Sequence, residues 1–299
     1  MNNAVVACLI AALLAGCRKQ NEDTPTHGSL SLASCESQSL VLQKEAQDFQ
    51  RIYTETRVTV SVRSTREAIV ALLNDSLRMI CTDRPLNEEE RSIVRKADIP
   101  LVETKIAEDA LAVIVHPSNP MNQISFASLG TIFRGETRSW SKIPEARWTG
   151  SIDAVLMGRN SGTHELLANT FLKTNGALAP AHLAQSQQEI VLYVARTPRA
   201  IGVVTISAIR DSIANVKTLA VESLNKEAPT PFVKLHQANV YRDYYPLHYP
   251  VYLYSTAKLA SVASGFSAFV ASVPGQKILL NAGLVPATMP VRLVQLTQE

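Results

Sequence analysis

Leu111-Ala112-Val113-Ile114-Val115 is a continuous apolar run, and His116-Pro117-Ser118-Asn119-Pro120 closes it. Two prolines so close together end any regular element. An apolar run without a polar break, ending in β-branched residues, fits a strand buried on both faces, as in the middle of an α/β sheet. Ile201 to Ile206 repeats the pattern. On the N-terminal side, strand-like and helix-like stretches alternate. Leu30 to Ala33, Val58 to Val62 and Leu77 to Cys81 read as strands. Ser39 to Tyr53, Arg66 to Asn74 and Asn87 to Lys96 read as helices, the last with a capping start at Asn87-x-x-Glu90. On the C-terminal side, Ser125 to Phe133 reads as a short helix, Ile152 to Met157 as a strand, and Val251 to Ser255 as another. Residues 225 to 245 read as an irregular crossover. Gly265 to Val273 and Gln276 to Asn281 are closing helices, the second stopped by Gly283. Alternation of this kind predicts an α/β fold.

The composition narrows the function. The chain has 299 residues, 46% apolar and 18% charged, enough for two globular domains. A net charge of +3, with no long basic run and no zinc-finger or RNP-like pattern, argues against nucleic acid. The histidines show no metal-ligand spacing, and no cofactor motif is present.

Residues 4 to 16, AVVACLIAALLAG, are uncharged, apolar and too short to span a bilayer; they have the length of a signal-peptide core. Leu14-Ala15-Gly16-Cys17 resembles the lipobox of bacterial lipoproteins, in which the cysteine carries the lipid. Met1-Asn2-Asn3 lacks the usual positive charge. The expectation is a signal peptide over 1–16, lipidation at Cys17, a polar, structureless tether over 17–28, and a periplasmic or cell-surface lipoprotein held at the membrane. Cys35 and Cys81 remain for the mature fold, either as a disulfide or as two buried thiols.

Several segments place hydroxyl or acidic residues at a strand-to-helix junction. A helix N-terminus leaves N–H groups unpaired and carries partial positive charge, which suits an anion. The first is Ser34-Cys35-Glu36-Ser37 and the second Ser64-Thr65-Arg66-Glu67, where Ser64 could equally be capping its own helix. The third is Arg159-Asn160-Ser161-Gly162-Thr163, with close backbone approach at Gly162, two hydroxyls, and a guanidinium fork suited to a tetrahedral oxyanion. A plain helix cap would also explain Ser161. At Cys81-Thr82-Asp83-Arg84-Pro85-Leu86 an acid sits beside a base, either as a surface ion pair or as part of a site. Phosphate keeps a proton near neutral pH and sulfate does not. A buried carboxylate accepts a P–OH bond and repels sulfate. Asp83 is the first candidate for this role; Glu36 and Glu67 are others.

In this order, S-T, T-D-R-P-L, D-A-L-A-V-I-V-H-P-S-N-P, I-F-R-G-E-T-R-S-W, R-N-S-G-T, P-R-A-I-G-V-V and G-Q-K-I-L-L-N-A-G-L-V-P resemble the phosphate-binding proteins of ABC-type phosphate importers. The resemblance runs from about residue 29 to 290. It implies a two-lobed type II periplasmic-binding-protein fold with the ligand in the cleft between the lobes. Lobe 1 would comprise 29–110 and 246–299, and lobe 2 would comprise 111–245. It implies that Cys35, Glu36, Ser37, Ser64, Asp83, Arg159, Ser161, Gly162 and Thr163 face the anion, and the loop reading adds Thr65 and Arg84 to the expected ligand set. The implied partners are inorganic phosphate and an ABC permease, with the protein acting as a monomer and needing no cofactor or metal. The chain departs from the usual Gly-Ser-Thr-like first loop and Gly-Ser-Gly-rich second loop. Arg159 also stands closer to Ser161 than is common in the family.

The alternatives are a phosphate sensor without a transporter, and a receptor for sulfate, molybdate or tungstate. A hydrolase built on Ser161 and His164 is a further one, but there is no G-x-S-x-G elbow and His164 is expected on the surface. Six tyrosines between Tyr241 and Tyr254 read as packing of the crossover and an edge strand.

Overall fold

The computed structural model describes residues 23–172, 177–210 and 215–289. Among them the strands are β1 (Gly28–Ser34), β2 (Thr56–Val62), β3 (Met79–Thr82), β4 (Val102–Val115), β5 (Gln123–Ile124), β6 (Asp153–Met157), β7 (His182–Ala184), β8 (Ala200–Thr205), β9 (Lys217–Thr218), β10 (Ala220–Glu222), β11 (Phe232–Val233), β12 (His248–Ser255) and β13 (Val285–Pro286). The helices are α1 (Ser39–Ile52), α2 (Thr65–Leu73), α3 (Glu88–Lys96), α4 (Phe126–Phe133), α5 (Gly162–Phe171), α6 (Gln187–Arg196), α7 (Ile206–Arg210), α8 (Gln237–Tyr241), α9 (Val262–Ala271) and α10 (Val273–Asn281).

The apolar run at Leu111 is only the second half of β4. The first half, Val102 to Ala110, carries Glu103, Lys105 and Glu108 and does not read as a strand from hydropathy. It is a strand because β12 pairs with it, from Ser255↔Val102 to His248↔Ala110. From Leu111 onward β4 pairs with β8 instead, Leu111↔Thr205 to Val115↔Ile201. One strand therefore joins two halves of a ten-stranded sheet of order β2-β1-β3-β12-β4-β8-β6-β7. Each half has a parallel core, β2-β1-β3 and β8-β6-β7. Parallel strands need helical crossovers, and these supply the α/β alternation.

β12 lies between β3 and β4, so it is not the edge strand expected for the tyrosine-rich segment. Tyr245, Tyr249 and Tyr254 are buried. The Tyr245 hydroxyl donates to the Leu111 carbonyl at 2.7 Å. The 225–245 crossover also holds β11 and α8. The tether segment is not structureless to its end. Thr24 and His27 form a β-bridge, and the Asp23 carboxylate accepts the Val262 N–H at 3.1 Å, using an acid at the start of α9. The expected signal peptide and the expected lipidation site at Cys17 lie outside the described residues. Among the described residues no helix is long and apolar enough to cross a membrane.

The motifs at Asp109–Pro120, Ile132–Trp140 and Gln276–Pro286 are scaffold. Trp140 is fully buried and its indole N–H donates to the Arg199 carbonyl at 3.1 Å. Gln276 is buried on α10. Its amide donates to the Ile106 and Val270 carbonyls and accepts the Thr288 N–H, which ties the closing helix to β4. Gly283 ends α10 at φ +99°, a conformation side chains avoid.

Glu45 breaks the pattern. It is fully buried on α1, and neither carboxyl oxygen has a hydrogen-bond partner among the described residues. Burial, helped by Asp48, pushes its pKa up to about 9. An acid raised in the fold costs stability progressively as pH climbs from the ordinary carboxylate range toward that value. Glu45→Met is therefore expected to stabilise the protein by about 1–3 kcal/mol at neutral pH, with a smaller gain near pH 5. Denaturant unfolding at the two pH values checks it. Equal stability of both proteins at neutral pH would refute the argument.

Candidate functional site

Five loops that leave the C-terminal ends of parallel strands face one another across the two halves of the sheet. This is where α/β folds place ligands. They follow β1, β2, β3, β6 and β7, and between them lies a cavity of about 530 Å³. Four of them run into helices whose first residues line that cavity: Glu36 and Ser37 before α1, Thr65 at the start of α2, Gly162 and Thr163 at the start of α5, and Gln187 at the start of α6. Helix N-termini and their dipoles therefore converge on one space, which favours a negative ligand.

The fifth loop contributes a negative charge. Asp83 is only 3% exposed. Thr65 donates its hydroxyl to Oδ1 at 2.6 Å and Ser37 donates to Oδ2 at 3.1 Å. Burial pushes the Asp83 carboxyl up, and the two hydroxyls and Arg84 pull against it. A carboxylate oxygen can accept two hydrogen bonds, so each oxygen of Asp83 keeps capacity for a donor on a ligand. Gly162 approaches Asp83 from the other half of the sheet. A Cβ on Gly162 would stand 1.7 Å from Asp83 Oδ1, so only glycine admits this contact.

Of the expected ligand residues, Cys35, Glu36, Ser37, Ser64, Thr65, Asp83, Arg159, Ser161, Gly162 and Thr163 line the cavity. Both capping readings hold as well. Ser64 Oγ accepts the Glu67 N–H in a reciprocal capping box, and Ser161 Oγ accepts the His164 N–H at 3.1 Å. A hydroxyl that accepts a cap bond still has its proton to donate, so capping and anion binding are compatible. Arg159 and Arg63 are exposed on the cavity wall and form no ion pair among the described residues.

Arg84 is the correction. It does not line the cavity. Its guanidinium makes a bidentate pair with Glu90, both bonds 2.8 Å, and Nε lies 2.7 Å from Glu165. Arg84 is buried, and a buried guanidinium goes where carboxylates can neutralise it; these two stand on α3 and α5. The result is an ion bridge between the two halves of the sheet beside Asp83. His164 is also misplaced by the sequence reading. It is buried, with Nδ1 2.9 Å from the Met157 carbonyl. The imidazole is thus engaged with the backbone, and the contact of His164 with Ser161 is through its backbone N–H, as a helix cap.

Cys35 and Cys81 are both buried free thiols. The Cys35 sulfur lies 3.2 Å from Ser37 Oγ, and burial pushes its thiol well above the ordinary range.

The sequence reading missed a supporting layer. Asp109, buried in β4, accepts from Gln38 Nε2 at 2.7 Å, from the Tyr249 hydroxyl at 2.9 Å and from the Ala110 N–H. Burial lifts its pKa to about 6. It anchors the first loop to the central strands. The one signal was an acid at the head of an apolar run. Gln187 gave none. Its side-chain carbonyl accepts from the Thr205 N–H and hydroxyl, while its backbone N–H donates to Glu36 Oε1 at 2.9 Å.

A family model described as the PBP superfamily domain matches residues 19–273. Protein SphX of Synechococcus elongatus is 30% identical over 249 residues, covering 81% of this chain and 72% of that protein. The phosphate-binding protein PstS of Pseudomonas aeruginosa is 23% identical over 304 residues, covering 97% and 92%. Among solved structures, a putative phosphate ABC transporter substrate-binding protein from Clostridium perfringens, with bound phosphate, superposes with a TM-score of 0.74 at 20% identity, over 87% of this chain and all (100%) of that one. An ABC-type phosphate transport receptor from Vibrio cholerae gives 0.68 at 22% identity, over 87% and 100%. At those identities the solved structures establish the shared fold.

Proposed function

The chain belongs to the PBP superfamily, and on that premise we propose that it is a receptor that captures inorganic phosphate and hands it to an ABC importer. One observation carries the reading: a buried carboxylate, Asp83, stands among converging helix N-termini and hydroxyls. Those donors suit any small oxyanion. The carboxylate suits only one that brings a proton, because it would repel a fully ionised tetrahedral ion at the same place. Relatives named for phosphate binding support the same choice.

In this reading residues 29–110 with 246–299 form one lobe and 111–245 the other, and β4 is one of the crossings between them. The anion sits among Cys35, Glu36, Ser37, Ser64, Thr65, Asp83, Arg159, Ser161, Gly162 and Thr163, while Arg84 bridges the lobes. Closure replaces the water around the anion with fixed donors, so the differential affinity for the closed form drives the motion. No covalent step is involved. The protein acts as a monomer, held at a membrane by lipid on Cys17, in the periplasm or at the cell surface.

Calorimetric titration of the purified chain, stripped of bound anion, tests the proposal. Phosphate and arsenate, both protonated near neutrality, are expected to bind, and sulfate and molybdate to give no heat. Folded, anion-free protein that gives no heat with phosphate would sink it.

A further inference from the structure

Glu36 is a second carboxyl in the same cavity as Asp83. It opens the turn that leads into α1, and the next residue, Ser37, is the one that donates to Asp83. Glu36 Oε1 accepts the Gln187 N–H at the start of α6, at 2.9 Å, which leaves Oε2 uncommitted. The hydrogen-phosphate dianion has a single P–OH. Once Asp83 accepts it, every remaining oxygen of the ligand is ionised and tolerates only donors. A second ionised carboxylate facing that ligand is repulsive unless another proton enters the site.

We propose that Glu36 makes the site hold phosphate with one proton more than Asp83 alone calls for, shared between the anion and the Glu36 carboxyl. The inference rests on the phosphate reading above and adds the protonation state that the receptor selects. At the pH where free phosphate is mostly the dianion, binding must then take up a proton from solution.

The surroundings of Glu36 favour this. On the cavity side the titratable and charged groups are Cys35, Asp83 and Glu67, with Arg63 and Arg159 exposed on the wall. The pocket on its other side, among Ser39, Leu40, Gln187, Gln188, Thr205, Ser207 and Ala208, holds no charge. Burial pushes the Glu36 carboxyl up and Asp83 adds to that, against the single Gln187 N–H. The Cys35 thiol is pushed well above its ordinary range and stays protonated, so it does not compete for the role.

The test is calorimetry of the full chain with sodium phosphate from about pH 6 to about pH 9, in pairs of buffers with different ionisation enthalpies. Above neutrality the unsubstituted protein is expected to take up close to one proton per phosphate, with affinity falling about tenfold per pH unit. Glu36→Gln keeps an amide oxygen for the Gln187 N–H. It is expected to lose the uptake, to flatten the pH dependence, and to bind at least about tenfold more tightly than the unsubstituted chain at the alkaline end. Phosphate binding by the unsubstituted chain without proton uptake above neutrality overturns the inference, and that measurement needs no variant. Equal uptake in Glu36→Gln overturns it too. Absence of phosphate heat at every pH would instead fail the phosphate reading itself.

Discussion

Asp83→Asn is expected to lower the preference for phosphate over sulfate by about a hundredfold. Asp83 accepts Thr65 on Oδ1 and Ser37 on Oδ2. An asparagine keeps one accepting oxygen and puts an NH₂ where the other was. One of the two hydroxyls must then turn away, and the P–OH loses a charged acceptor. A hydrogen bond to a charged group contributes about 1.5–3 kcal/mol, so phosphate weakens. Sulfate moves the other way, because the buried charge that repelled it has gone and the NH₂ can donate to it. Competition calorimetry with the two anions reads the ratio directly. An unchanged ratio would mean that the selectivity lies elsewhere in the cavity. Glu36 remains in this variant and still opposes sulfate, so Asp83→Asn with Glu36→Gln is expected to go further than either alone.

Why Asp83 was visible in the sequence and Arg84 was misread is a matter of range. Asp83 follows a short apolar strand and precedes a proline, and a charge in that setting signals a loop at a strand end. Its candidacy follows from that pattern plus the chemistry of phosphate, while its burial does not, since a surface ion pair with Arg84 fits the same residues. Arg84 has the same local pattern. Its destination is decided by Glu90 on α3 and Glu165 on α5, the second of which is far away in sequence. Nothing within a few residues of Arg84 reports that. The same holds for β4. Its apolar half announces itself because both faces are covered. Its first half, with Glu103, Lys105 and Glu108, is a strand only because β12 lies against it. The supporting layer of Gln38, Asp109 and Tyr249 brings together three elements distant in the chain. Hydropathy shows that Asp109 is out of place in an apolar run, but the partners that stabilise it become visible only when the sheet is assembled. The glycine at position 162 was legible as a point of close approach. What approaches it was not.

That contact carries the other large expectation. Gly162 is the first residue of α5, with Ser161 as its cap, and its backbone is helical, where alanine is intrinsically favoured over glycine. Taken by itself, the half of the molecule that contains α5 has no reason to resist Gly162→Ala. The obstacle comes from the opposite half: the new Cβ would fall 1.7 Å from Asp83 Oδ1 and 2.4 Å from its carboxyl carbon. Asp83 cannot easily yield, since Thr65 and Ser37 hold both of its oxygens. The two halves must then separate. The Arg84–Glu165 pair and the Glu36–Gln187 bond cross the same gap and would be lost with it. Each half keeps its own core, so the variant is expected to stay folded and to melt somewhat below the parent, yet to bind phosphate at least about a hundredfold more weakly. Small-angle scattering with saturating phosphate should show the parent contracting and the variant failing to. Adding Asp83→Ala to Gly162→Ala removes the clash and is expected to restore the contraction without restoring discrimination against sulfate. If Gly162→Ala bound phosphate normally, the close approach of Asp83 to α5 would not be a feature of the ligand-bound form, and the assignment of Asp83 to the anion would fall with it.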